Sequence, residues 1–390
     1  MPEQPPPAPE TPEERVQPTV TVKRTAVYPP QPSRRYGCRR TAITVFLTFV
    51  VTVVLLIGGS VYLLVRQPEQ LLYALRTVTP RYYPVALAVE GDEKTHVFYQ
   101  TGSLVPDVVR RANRFDLAWQ TEAFHGMVAD EVWEKPAPIG PFTGAVRFKG
   151  TMWLLGTGGY RTWSSGAWTA TVPKNDWVNP RACVAGDRLW VFCENAERVL
   201  SVTVTADGAT WQPGGLQQKL PSLPDNDEHA NRFLDELRAR FRVTVLNDKP
   251  YVFWYDPARK KVRYRFHDRA WSQPHSATAT VLFAVAAAGP VLYLFDVPDW
   301  RENEEFGYDE AVVTMRTFDG KKWSEPSELD AVTTLCLDAS SVGDDIWLFT
   351  SGYKSLFYAT YSDGDWGPTI KVPKPKAAAG SSARKQEETE

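Results

Sequence analysis

Six short apolar runs are spaced along the middle of this chain. They are His96-Val97-Phe98-Tyr99, Met152-Trp153-Leu154-Leu155, Leu189-Trp190-Val191-Phe192, Tyr251-Val252-Phe253-Trp254, Val291-Leu292-Tyr293-Leu294-Phe295 and Ile346-Trp347-Leu348-Phe349. Runs of this length, dominated by β-branched and aromatic residues, predict strands. Most follow another short apolar run across a tight turn. Examples are Val243-Thr244-Val245-Leu246 before Asn247-Asp248, and Ala182-Cys183-Val184 before Gly186-Asp187. Turn residues of that kind predict β-hairpins. An alternating run, such as Val262-Arg263-Tyr264-Arg265-Phe266, then predicts a third strand, and the residues after it a fourth.

Each third strand leads into a polar turn, a tryptophan and, soon after, a proline. The copies are Asp130-Glu131-Val132-Trp133, Ser165-Gly166-Ala167-Trp168, Asp207-Gly208-Ala209-Thr210-Trp211, Asp268-Arg269-Ala270-Trp271, Asp319-Gly320-Lys321-Lys322-Trp323 and Asp363-Gly364-Asp365-Trp366. A period of about 35–60 residues marks a repeat architecture. Four antiparallel strands repeated six times give an all-β fold, a six-bladed β-propeller over residues 81–372. The repeated tryptophans are expected to fill the core between blades, since burying one large aromatic contributes several kcal/mol by area.

The turn-plus-tryptophan repeat resembles the Asp-box blades of sialidase-like and fucose-binding-lectin-like propellers over about 290 residues. That resemblance implies the propeller fold and extracellular ligand recognition. The Asp box places its Asp five residues before the Trp with a Gly between; here the interval is three or four. No catalytic residue carries over, because the arginine cluster, the Tyr/Glu pair and the acid of a sialidase have no counterpart at named positions.

Residues 42–65 (AITVFLTFVVTVVLLIGGSVYLLV) carry no charge, and 24 residues suffice to cross a hydrocarbon core of about 30 Å. Arg34, Arg35, Arg39 and Arg40 precede the run, whereas only Arg66, Arg76 and Arg81 follow it closely. The positive-inside rule then predicts a single transmembrane helix with a cytoplasmic N-terminus and an extracytoplasmic propeller. A cleavable signal peptide fits less well, since the run is long and no small-x-small site follows. Residues 1–41 form a tail that begins proline-rich, with a PxxP match at Pro6–Pro9; residues 66–80 read as a stalk and 373–390 as a polar tail. Cys38, beside the apolar run, is a candidate for acylation or an incidental thiol.

A formal net charge of -2 with interspersed signs gives no basic stripe, so nucleic acid is not an expected partner. Four cysteines are too few for a disulfide framework and none forms a CxxC pair; a bond between Cys183 and Cys193 is not favoured. No Ser lies in a GxSxG elbow, and the five histidines form neither HxH nor HExxH. Asp225, Asp227 and Glu236 match three calcium-loop positions, but Ala230 stands where that loop needs Gly; an N-capped helix reads better. Neither a metal nor a cofactor is expected.

Chemistry is sought instead in the three longest connections, residues 101–114, 214–240 and 296–310. The strand order places all of them on one face of the propeller, where function usually resides. The first carries Arg110, Arg111 and Arg114, and the last carries Asp299, Trp300 and Arg301 followed by acids. These six residues are the candidate ligand-binding set. The first strand of the first blade starts on the same face, which favours a partner near the bilayer. The sequence thus predicts a membrane-anchored propeller recognising a glycan, peptide or protein. Alternatives are a propeller glycoside hydrolase or lyase with dispersed carboxylates, and a scaffold subunit of an envelope complex.

Overall fold

The computed structural model describes residues 85–109, 114–164, 166–221, 241–277, 279–280, 282–298, 300–303, 308–333, 336–351 and 355–373. The chain divides into two compact units, Met1–Pro68 and Glu69–Glu390, and every described residue belongs to the second. The predicted span 42–65, the tails, and the calcium-loop or capped-helix segment at 225–240 lie outside the described residues. Among the described residues no helix is long and apolar enough to cross a membrane.

Six antiparallel sheets follow one another along the chain, each built from its own segment. Their first strands are Ala86–Glu90, Gly144–Phe148, Val178–Ala185, Arg242–Leu246, Phe283–Ala288 and Leu337–Val342. Each packs beside the first strands of the two adjacent blades, and the sixth returns to the first, closing a ring. Five of the six hairpins from first to second strand use two-residue turns. Lys149-Gly150, Gly186-Asp187 and Asn247-Asp248 hold both turn residues at positive φ. That backbone matches the twist of the flanking strands, and is why Gly, Asn and Asp mark these positions in sequence.

The second strands are the apolar runs, and their burial explains the missing alternation. In the third blade Leu189 and Val191 face the core shared with the second blade, while Trp190 and Phe192 face the core shared with the fourth. A strand sandwiched between two sheets needs apolar residues on both faces. Six such inter-blade clusters exist, one at each seam.

Each repeat tryptophan packs edge-to-face on an aromatic of the preceding blade. Ring centroids are 5.7 Å apart for Trp133 and Tyr358, 5.9 Å for Trp168 and Phe98, and 6.4 Å for Trp211 and Trp153. For Trp271 and Phe192 the separation is 5.9 Å, for Trp323 and Tyr264 6.0 Å, and for Trp366 and Phe295 5.8 Å. All six are only half-buried, so they cover the seams rather than fill them. The prolines behind them interrupt the fourth strand, an outer edge where a missing N–H is tolerated and further pairing is discouraged. The Asp box is not reproduced in all blades. Asp207 accepts from Ala209 N (2.8 Å) and Thr210 N (2.7 Å), and Asp319 from Lys321 N and Lys322 N (both 2.8 Å). These bonds hold both carboxyls below their ordinary range. In the first and sixth blades, left-handed Asp130-Glu131 and Asp363-Gly364 make the turn instead.

Cys183 and Cys193 are free and lie in different seams. One seam has a polar inclusion. Between the first and second blades, His125 is 5% exposed and stacks on Phe98 at 4.7 Å, with its Nε2 2.8 Å from His96 Nδ1. Trp163 and Trp168 meet the His125 ring edge-on, at 5.3 and 5.7 Å.

Candidate functional site

The two faces of the ring differ. One carries the tight turns; the other carries the connections from second to third strand and from each blade to the next. Polar residues at the ends of the second strands bind the main chain there. Gln100 donates from Nε2 to Phe142 O, and Cys336 N donates to Ser351 Oγ (2.9 Å). Asn179 N donates to Thr157 Oγ1 (3.3 Å), and its side-chain amide to Glu194 Oε1 (2.5 Å). Asp296, 3% exposed, accepts from Thr280 N (3.0 Å) and Thr314 Oγ1 (2.5 Å). Burial pushes its carboxyl upward, more than these bonds pull it down. This polar collar satisfies groups that would otherwise be buried and unpaired, and so fixes where each blade begins.

Inside the collar an ion pair reaches past one blade to join its two neighbours. Arg242 opens the first strand of the fourth blade, and its Nε lies 3.2 Å from Asp338 Oδ1 in the first strand of the sixth. The guanidinium sits 5.8 Å from the centre of the Phe283 ring, in the intervening blade. Asp338 Oδ2 also accepts from Ala86 N of the first blade (3.4 Å). The pairing register explains the reach. Gly144, Arg181, Arg242, Ala284 and Asp338 stand opposite the same position of their second strands, where the partners are Leu155, Phe192, Phe253, Phe295 and Phe349. Small Ala284 leaves room for the long side chain from its neighbour. Sequence reading missed both partners; the available signal was a charge entering an otherwise apolar strand, as in Phe241-Arg242-Val243 and Leu337-Asp338-Ala339. At the outer margin Asp256 is held by Arg259 (2.8 Å) and Arg263 (3.7 Å).

Two of the connections read as loops are strands. In the first blade the second and third strands continue as a paired ribbon, Thr95–Val109 with Arg114–Ala129, so residues 101–114 are mostly β-structure. In the fifth blade Trp300–Asn303 pairs with the start of Tyr308–Phe318 as a second hairpin. Alternating sequence such as Phe115-Asp116-Leu117-Ala118-Trp119-Gln120 satisfies strand pairing, which is the physical reason for the difference. In the connection at 214–240, residues 214–219 complete the strand Gln212–Lys219 and 222–240 lie outside the described residues.

Of the candidate set, Arg110, Arg111 and Asp299 lie outside the described residues. Arg114 pairs with Val109 at the far end of the ribbon. Trp300 pairs with Ala311 and Arg301 with Glu310 in the fifth-blade hairpin. The first and fifth blades flank the sixth, so the two hairpins rise from either side of Asp338. Among the described residues no group of three or more His, Cys, Asp or Glu is placed to hold a metal.

No family model and no curated protein matches the chain. Among solved structures it is similar to AofleA from Arthrobotrys oligospora, at 12% identity and a TM-score of 0.48 over 76% of this chain and 90% of that one. It is also similar to the Aleuria aurantia lectin, a six-bladed β-propeller recognising fucose, at 14% identity and a TM-score of 0.47 over 76% and 96%. An α-L-arabinofuranosidase from Clostridium thermocellum follows at 8% identity and a TM-score of 0.37 over 74% and 93%. Likeness at this level does not bear on what the chain binds.

Proposed function

We propose that this chain is a membrane-anchored, extracytoplasmic propeller that recognises a glycan, peptide or protein through its elaborated face. One observation carries the reading: both prolonged hairpins stand on one face, while five of the six hairpin turns on the other face have two residues. A rigid ring that elaborates only one side is built to present that side. Arg114, on the first-blade hairpin, and Trp300 and Arg301, on the fifth-blade hairpin, are the proposed ligand-binding residues, together with Arg110, Arg111 and Asp299, which adjoin them in sequence. The uncharged run 42–65 is the anchor, with the arginines before it keeping the N-terminus cytoplasmic. The blade-one chain enters at the elaborated face, since Gln100 N donates to Val85 O at 2.8 Å. That entry favours a partner close to the bilayer.

Binding of the full chain, in detergent, to a glycan array and to a peptide library tests this reading. Trp300→Ala and Arg114→Ala are expected to lower any binding found about tenfold each, the scale of an exposed interface anchor. Binding unaffected by both changes would place recognition elsewhere, and no binding to any probe would favour a scaffold role in an envelope complex. Turnover of a glycan by the full chain would favour a hydrolase or lyase instead.

A further inference from the structure

Two ion pairs and two histidines share the seam between the first and second blades. His96 lies in the second strand of the first blade, and His125 in the third, opposite Phe98. Cross-strand partners share a face and positions two apart fall on the same one, so both histidines join Phe98 in facing the second blade. The second blade meets them with Arg147 and Trp163, each opposite Met152, and with Arg161, opposite Leu154 on the same face.

The 2.8 Å contact between His96 Nδ1 and His125 Nε2 depends on the proton count. Two neutral imidazoles hold it with one proton between the two nitrogens. An imidazolium and an imidazole hold it as well, as a charge-assisted bond. Two imidazoliums do not, because both rings then carry only N–H groups and two like charges meet at hydrogen-bond distance. The surroundings do little to offset such charge. Glu134 is already bonded by Lys94, and Asp92 by Arg147 from across the seam, while Glu93 is exposed in the turn. Arg161 adds a further cation on the facing blade. The remaining neighbours are rings: Phe98 stacked on His125 at 4.7 Å, and Trp163 and Trp168 edge-on to it.

We infer that this pair is a two-proton latch, which holds the first and second blades together through one added proton and releases them at the second, while the other seams stay shut. The first proton enters at His96, which is half-buried and whose Nε2 borders the turn at Gly91, where an added Cβ would come within 2.9 Å of it. The second has to enter at His125, which is 5% exposed. Burial, and next His96, push its imidazole down, so the closed seam resists that proton. Opening wets both rings and returns them to the ordinary range, so falling pH favours the open seam. The latch is local. Of the other described histidines, His267 and His275 each lie singly against aromatic rings of other seams. Both latch residues ride on strands that run on as the paired ribbon to Val109 and Arg114, so release of this seam also shifts the ribbon. The inference does not depend on what the elaborated face binds.

The test is hydroxyl-radical footprinting of the full chain in detergent, read by mass spectrometry from about pH 7.5 to about pH 4.5. Phe98, Phe142 and Met152 are buried in this seam, and Phe192 and Phe253 in the seams after the third and fourth blades. Oxidation of the first three is expected to rise at least about threefold over that range, with the other two level. The rise in the parent is expected to follow more than about one proton per opening, and in His125→Gln and His96→Gln about one or fewer. His96 is half-buried, so its variant serves should His125→Gln misfold. An equal rise at all of these residues would overturn the inference, since acid would then unfold the whole ring. A parent profile no steeper than either variant's, or no rise at Phe98, Phe142 and Met152, would overturn it too.

Discussion

Acid should loosen the seam between the first and second blades through His125. Burial, and next the neighbouring His96, push its imidazole down to about 4. The ordinary value of about 6.5 applies once the chain unfolds, so the unfolded state takes up the proton first. The stabilisation from a neutral His125 is therefore complete above about pH 6.5 and is lost as pH falls toward 4. A gap of about 2.5 units at about 1.4 kcal/mol each gives about 3–4 kcal/mol once pH lies below both values. His96 shifts in the same direction, chiefly by burial, and adds to the loss. Glu134, with Lys94 bonded to it, and the Arg147 and Asp92 pair are the other charges at this seam. Urea unfolding at pH 7.5, 6, 5 and 4.5 would measure the effect against His125→Gln, which keeps a hydrogen-bonding group but does not titrate. The parent is expected to lose roughly 2–3 kcal/mol more than the variant between the extremes. Parallel curves for the two proteins would refute the reasoning.

Other consequences follow from the ring. Asp338→Ala takes the carboxylate away from the buried Arg242 guanidinium and should cost about 3 kcal/mol, whereas the double change Arg242→Met with Asp338→Leu should recover most of it; thermal unfolding distinguishes them. Trp271→Phe keeps the contact with Phe192 but loses the 2.8 Å bond to Gly214 O, for about 1 kcal/mol, and Trp271→Ala should cost about 2–4 kcal/mol by denaturant titration. Gly159→Ala would bring a Cβ within 2.2 Å of Val172 O at a φ of +156°, so a loss of at least about 2 kcal/mol is expected in the same assay. Thiol titration of the native full chain should leave Cys183, Cys193 and Cys336 unmodified until unfolding, since burial shields them and raises their thiols.

The strand repeat was legible because its causes are local. A doubly buried strand must be apolar throughout, a two-residue hairpin needs left-handed turn residues, and a seam needs an indole at one offset. Trp133, Trp168, Trp211, Trp271, Trp323 and Trp366 report all of this at once. The Arg242 and Asp338 pair was hidden because its members lie 96 residues apart and become neighbours only when the ring closes. The histidine pair escaped for a similar reason, since His96 occupies a strand and His125 is set by pairing across the blade. The ribbon reads as a loop by the length of its connection, although the alternation from Phe115 to Gln120 carries a strand signal.

The sixth blade meets the first without exchanging a strand among the described residues. What joins them is Trp347, Phe349 and Tyr358 against Val97, Tyr99 and Phe124, with the Tyr99 hydroxyl donating to Pro373 O (3.2 Å) and Ala88 N to Ser340 Oγ (3.0 Å). The molecule is in this sense a split washer. Its circumference is continuous in covalent bonds everywhere but at one cut, which, among the described residues, side chains and a few hydrogen bonds hold shut. Strain applied to the rim is expected to part it at that cut first, leaving five intact seams on an opened arc.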